Sequence, residues 1–459
     1  MNTPHVLIIG GGITGLSAAW YLQQQGLSYT VVERAARWGG KVQSEQVHAA
    51  GTRPFMLETG PESFVTRKPE VYNLARDMGI LDQVESASNE ARGIYILTNG
   101  EALPLPLAPP AFIRSPIMSL RGKLRLLAEP FIPARRDMED ESIADFASRR
   151  LGPEAHERLI GPILGGIYNT DPAQQSIMTT SPIMREMEAE YGGLVVALIR
   201  KLLAARKHKS DQPKPPRFIS FKGGAEGLIN ALVDNLTGTL RLNAEVVCLE
   251  ETAQGRYAAQ LADGEMLKAD AVILTSPANV SAGLIGNLAP DAARLMADIE
   301  HVNIGTATLM YHAQDFPESI RHMSGLMIPR REKRRIDAVT FTSHKTPEFA
   351  PEGYELIKVF FGGGAPELVT QPEAQALQAI QDELRDLLGI EAAPLDYRLY
   401  RWPDSYAQAR VGHPDDVTQI ENALPQGIFV AGASYRGLAV PDCVKQAQTT
   451  AQAVAKSLA

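Results

Sequence analysis

The feature that most constrains this chain is a glycine turn set between a strand and a helix. His5-Val-Leu-Ile-Ile9 is a short apolar run, Gly10-Gly11-Gly12-Ile13-Thr14-Gly15 follows at once, and Leu16 to Gln25 then has apolar residues at helical spacing. A strand that enters a helix through GxGxxG predicts a βαβ unit whose backbone holds a pyrophosphate. Gly10 permits the tight turn. Gly12 lets the backbone approach the phosphates, with Ile13 and Thr14 beside it, and Gly15 lets helix and strand pack closely. The helix N-terminus adds partial positive charge. A second strand, Tyr29-Thr-Val-Val-Glu33, ends in a carboxylate 18 residues after Gly15, placed to accept from a ribose hydroxyl.

The next segment, Glu33-Arg34-Ala-Ala-Arg37-Trp-Gly39-Gly40-Lys41, brings a second glycine pair toward the same pyrophosphate, and Arg34, Arg37 or Lys41 add positive charge. This favours a large, retained dinucleotide over an exchangeable nicotinamide. The plainer alternative is a turn with surface arginines.

At 459 residues the chain exceeds what one core usually supports, so two or three substructures are expected. A net charge of -8 gives no electrostatic footprint for nucleic acid. Only Cys248 and Cys443 are present, which excludes a disulfide framework and reads as a reducing, cytoplasmic setting. No apolar run is long enough for a membrane-spanning helix. Metal-ligand spacings and a GxSxG elbow are both lacking, so neither metal nor serine chemistry is supported.

The N-terminal residues, GxGxxG, the acidic strand end and ERxxRxGG, resemble the monoamine oxidase and protoporphyrinogen oxidase superfamily of flavoproteins. Three further segments narrow the resemblance to the porphyrinogen oxidases. Glu58-Thr-Gly60-Pro61-Glu62-Ser63 is similar to the family stretch that runs beside the flavin. Phe221-Lys-Gly223-Gly224 is similar to the return into the cofactor domain, with a strand Ala244 to Leu249 in which Val246 or Val247 would meet adenine. Gly432-Ala-Ser-Tyr-Arg-Gly-Leu-Ala-Val440-Pro441-Asp442-Cys443 resembles the C-terminal flavin motif. A helix starting near Pro441 would aim its N-terminus at the flavin.

The resemblance implies an α/β flavoprotein with non-covalent FAD. Its parts would be a discontinuous Rossmann-like FAD-binding domain (1–65, 217–280 and 420–459), a mostly helical insert (66–216) and a mixed-sheet substrate domain (281–419). The implied reaction is oxidation of a porphyrinogen, with O2 as acceptor and hydrogen peroxide released. Coproporphyrinogen III is preferred over protoporphyrinogen IX. Amine oxidases, carotenoid desaturases and a flavin-free binding protein on the same fold are the competing readings.

Gly161-Pro-Ile-Leu-Gly165-Gly166-Ile167-Tyr168-Asn169 resembles the family segment in which the Gly166 carbonyl would accept pyrrole N–H bonds, with Ile167 and Tyr168 beside the ring. Arg67 or Lys68 would meet a substrate propionate. No acid or base side chain is assigned, because the chemistry asks for placement. The leucines and basic residues of Leu120-Arg-Gly-Lys-Leu-Arg-Leu-Leu127 read as core packing with a solvated basic face. The alternative is a helix docked on a bilayer, giving peripheral membrane contact. Arg200 to Arg217 and Arg330 to Arg335 read as solvated basic loops, and oligomeric state is not legible.

Overall fold

The first strand, His5–Ile9, is buried on both faces, as the inner strand of a parallel sheet must be. The computed structural model of the chain describes residues 4–49, 51, 53–87, 93–106, 109–207 and 216–459. It places this strand at the centre of a five-stranded parallel sheet. The order is Thr239–Arg241, Ser28–Val32, His5–Ile9, Ala271–Leu274 and Ile428–Val430. Alternate side chains serve two cores. Val6 and Ile8 pack with the helices Ile13–Gln24, Glu226–Asn235 and Val440–Leu458. Leu7 and Ile9 pack with the antiparallel strands Val246–Glu251 and Tyr257–Leu261. Each such side chain contributes about 1.5–3 kcal/mol by burial.

A seven-stranded mixed sheet forms the second layer, in the order Asp396–Ala407, His301–His312, Tyr354–Phe361, Ile336–Phe341, Met323–Met327, Gly93–Thr98 and Glu101–Pro104. One neighbouring pair, Met323–Met327 with Gly93–Thr98, is parallel. Residues 93–104 lie within the segment read as mostly helical and still extend this sheet. One face packs on the helix Glu373–Leu388. The other meets the Ser44–Val47 and Phe55–Glu58 strands through Phe55, Leu57, Met310 and Leu356.

The helices between residues 109 and 207 are held by buried ion pairs. Arg150 meets Glu129, both fully buried, Arg185 meets Glu188, and Arg149 reaches Glu188 at 2.6 Å and Glu141 at 2.7 Å. Removing one partner of such a pair costs about 3–5 kcal/mol.

The helix Leu120–Leu127 reverses its expected orientation. Leu120 is 74% exposed, Leu124 and Leu127 are exposed beside it, and Phe131 just beyond is 86% exposed. Two of its three basic side chains turn inward instead, with Arg121 exposed: Lys123 donates to the carbonyls of Ile113 and Ser115, and Arg125 to those of Arg149 and Arg150. Those carbonyls need donors, so the cations dock the helix and the leucines face out. Arg331 and Arg334 are likewise tied down, to the Glu157 carbonyl and to Asp386. Of the Arg200 to Arg217 tract, residues 208–215 lie outside the described residues. No helix among the described residues is long and apolar enough to cross a membrane.

Candidate cofactor and substrate site

The glycine turn forms a cradle with one closed and one open side. A Cβ at Gly15 would lie 1.9 Å from the Gly10 carbonyl, so helix and strand touch there. At Gly12 a Cβ would meet nothing within 4 Å, and at Gly40 only Gly12 Cα at 3.4 Å. Gly39 N donates to the Gly11 carbonyl at 2.8 Å, which locks the second glycine pair against the first. The open side thus carries two glycines and the first turn of the Ile13–Gln24 helix, whose N–H groups have no partner within the helix. This is the shape and polarity that a pyrophosphate requires, and the residues fit FAD.

Glu33 closes the end of the cradle. Its oxygens accept from Gly11 N at 2.7 Å and Ala35 N at 2.8 Å, leaving further lone pairs for a ribose hydroxyl. Asn243 N and Ala244 N bond the carbonyls of Ala35 and Glu33, which brings the entrance of the Val246–Glu251 strand alongside. Val246 is buried in the core and Val247 is exposed. Arg34 is exposed, and Arg37 donates to the carbonyls of Trp38 and Gly40. Lys41 donates to the Ser405 carbonyl, and burial pulls its pKa below the ordinary lysine value.

Gly60 abuts this corner: a Cβ there would lie 2.1 Å from the Lys41 carbonyl oxygen. The side chains of Glu62 and Ser63 turn to the mixed sheet. Glu62 accepts from Thr342 Oγ1 at 3.0 Å and faces Lys345 Nζ at 3.4 Å, and Lys345 lies 3.3 Å from Ser63 Oγ. These two residues therefore address the sheet through their side chains, while the Gly60 main chain packs against the cradle corner.

The third wall is the start of the Val440–Leu458 helix. Cys443 is buried against Thr14, so the first turns of this helix and the Ile13–Gln24 helix converge. Desolvation pushes the Cys443 thiol up to about 11. A Cβ on Gly432 would lie 3.7 Å from Thr14 Oγ1. Asp442 is bound by Lys68 at 2.6 Å and accepts from Ala439 N at 3.3 Å. Of the two expected propionate partners, Lys68 is thus occupied and Arg67 is exposed.

Gly166 is exposed in the last turn of the Gly161–Tyr168 helix, and the side chains of Ile167 and Tyr168 lie outside the described residues. Asn169, left-handed at φ 46, ends the helix. Asn169 N and Thr170 N both bond the Gly165 carbonyl, leaving the Gly166 carbonyl outside that pairing. A cavity of about 300 Å³ adjoins this helix end, lined by Asn169, His301, Asn303, Arg330, Gly362 and Asp404 among others. His301 also reaches Ser434 Oγ at 3.1 Å, and Ser405, next to Asp404, receives Lys41. The cavity thus lies at the end of the Gly166 helix, and His301 and Asp404 in its lining connect it to Ser434 and, through Ser405, to Lys41. A larger cavity, about 910 Å³, runs along the outer side of the Val440–Leu458 helix, and no residue of the Gly10–Gly15 turn lines it.

Sequence reasoning missed His301, Asn303, Arg330 and Asp404, which lie in the mixed sheet or its loops and carry no local motif. It also missed Lys345 and Lys358. A lone lysine inside the apolar run Leu356-Ile-Lys-Val-Phe was the one visible signal for the latter.

The sequence profile of the family described as flavin containing amine oxidoreductase matches residues 13–455. The chain is 29% identical over 466 residues to the coproporphyrinogen III oxidase of Bacillus subtilis, covering 96% of each. It is 30% identical over 477 residues to that of Staphylococcus aureus, covering 99% of this chain and 100% of the relative. A crystal structure from Exiguobacterium sp. 255-15 superposes with a TM-score of 0.84 at 26% identity, covering 99% of both chains.

Proposed function

This chain belongs to the flavin-containing amine oxidoreductase family, and we propose that it oxidises a porphyrinogen to the porphyrin, with coproporphyrinogen III as the preferred substrate. The observation that carries this reading is the end-to-end match to coproporphyrinogen III oxidases over a dinucleotide cradle whose open side is intact. We assign residues 1–65, 217–280 and 420–459 to the cofactor part and 281–419, with the strands at 93–104, to the substrate sheet, leaving the rest of 66–216 as the insert. FAD, when bound in this cradle, would supply two-electron acceptor chemistry for the macrocycle, with O2 as the final acceptor. Removal of six hydrogens then consumes three O2 and releases three hydrogen peroxide.

The chain's own residues position and polarise. Gly10, Gly12, Ile13, Thr14, Gly15, Gly39 and Gly40 present backbone to the pyrophosphate, Arg34 and Lys41 add charge, and Glu33 takes the ribose. Val246 offers main chain to the adenine. Gly60, Pro61 and the segment that Glu62 and Ser63 anchor line the flavin, together with Gly432, Val440, Pro441 and Asp442. The converging helix N-termini favour negative charge on the ring. The Gly166 carbonyl accepts from pyrrole N–H groups, beside Ile167 and Tyr168, and Arg67 meets a propionate.

Side-by-side turnover of the two porphyrinogens tests the substrate. A higher kcat/KM with coproporphyrinogen III is expected, and preference for protoporphyrinogen IX would replace it.

The exposed leucines, Phe131 and nearby Arg121 also support peripheral contact with an anionic membrane. The protein should then co-sediment with phosphatidylglycerol vesicles, and changing Leu120, Leu124 and Phe131 to serine should release it. Equal recovery with and without vesicles would reject the contact.

A further inference from the structure

A lysine inside a sheet is costly unless its charge is met on several sides. Lys358 stands in the strand Tyr354–Phe361, 1% exposed, between the buried Ile357 and Val359. Its ammonium donates to the Gly60 carbonyl and faces the carboxylates of Glu58 and Glu62, with Lys345 as the second cation. Glu58 is fixed in turn by Ala225 N at 2.8 Å and Ser44 Oγ at 2.9 Å. Thr306 Oγ1 donates to the Thr59 carbonyl at 2.8 Å. The segment Thr59 to Ser63 is thereby gripped at its main chain by Thr306 and Lys358 of the mixed sheet and at the Glu62 and Ser63 side chains by Thr342 and Lys345 just beyond it, and Glu58 ties its start to the cofactor part.

Two observations assign this grip to placement. An apolar side chain of similar volume would fill the same space without desolvating a charge. The gripped atom is also the carbonyl of Gly60, the residue closed against the Lys41 carbonyl, and Lys41 follows the Gly12–Gly40 cradle directly. Gly60 is clamped between the substrate sheet and the cofactor corner.

We propose that Lys358 is a positioning residue for the flavin: it sets the Gly60–Ser63 segment against the cofactor, so that the substrate sheet governs flavin binding through one buried cation. The proposal rests on the assignment of FAD to the cradle.

The full-length holoprotein is compared with Lys358→Met, Lys358→Arg and the double variant Lys358→Met with Glu62→Gln, which removes one charge of each sign. Thermal midpoint, FAD dissociation constant and visible flavin spectrum are measured. Lys358→Met should lower the midpoint and weaken FAD binding about tenfold or more, the size of one lost charge-assisted hydrogen bond. The double variant should regain the midpoint while FAD affinity and spectrum stay altered, and Lys358→Arg should keep affinity better than Lys358→Met. Wild-type FAD affinity and spectrum in the double variant would show that Lys358 only balances charge, and would overturn the proposal. Equal loss in the arginine and methionine variants would assign the effect to packing and overturn it as well. If Lys358→Met does not fold, the other two variants decide. A wild-type protein that binds no FAD overturns the cradle assignment itself, and this proposal with it.

Discussion

The ammonium of Lys68 lies 2.6 and 2.7 Å from the two carboxylate oxygens of Asp442, joining the segment after Ser63 to the first turn of the Val440–Leu458 helix. The pair divides the work of two adjacent cations. Lys68→Ala should weaken FAD retention by unpinning Asp442, with a small change in KM for porphyrinogen. Arg67→Ala should raise KM and leave flavin content unchanged. Flavin content by absorbance and steady-state kinetics check both, and the opposite pattern would return the propionate to Lys68.

Gly12 and Gly15 separate binding from folding. Gly12 has φ -75, an ordinary backbone conformation, and open space before it, so Gly12→Val should keep the thermal midpoint of the apoprotein and lose FAD. Gly15→Ala drives a Cβ into the Gly10 carbonyl and should lower the midpoint itself, on the scale of an overpacked core, about 1–3 kcal/mol. Full FAD binding by the Gly12 variant would place the pyrophosphate elsewhere.

Burial keeps the Cys443 thiol neutral at physiological pH, whereas Cys248 is partly exposed. Iodoacetamide should modify Cys248 in the native protein and Cys443 only after unfolding, as read by peptide mass spectrometry. Acid precipitation should release all the flavin. A flavin-bearing peptide containing Cys443 would contradict the non-covalent assignment.

His301 and His413 are both held below the ordinary histidine value by burial, with His413 Nε2 2.7 Å from the Tyr435 carbonyl. Their folded values are depressed, so the fold prefers the neutral rings. That stability is complete above the unfolded value of about 6.5 and is lost as pH falls through the lower folded values. The thermal midpoint should therefore fall as the pH drops below about 6.5. His413→Gln should flatten the slope, and an equal slope in wild type and variant would remove His413 from the account.

What was legible in the sequence was local. The glycine turn, Glu33 and the Ile13–Gln24 helix follow from spacing within some thirty residues, where strand, turn and helix each leave a pattern. The exposed leucines at 120 to 127 were misread because amphipathic spacing marks two faces without saying which one packs. The carbonyls of Arg149 and Arg150 decided that, and they belong to a separate helix whose docking no local pattern marks. The Glu58–Glu62–Lys345–Lys358 seam was invisible for the same reason: each charge looks misplaced alone and is explained only by partners up to 300 positions away.

The most direct test is to mix the purified protein with coproporphyrinogen III anaerobically and then admit air. A porphyrinogen oxidase predicts bleaching of the flavin absorbance by the substrate, recovery on admission of oxygen, and coproporphyrin III fluorescence with about three peroxide per porphyrin. A protein whose flavin stays oxidised with both porphyrinogens, or one that contains no flavin, would contradict the account.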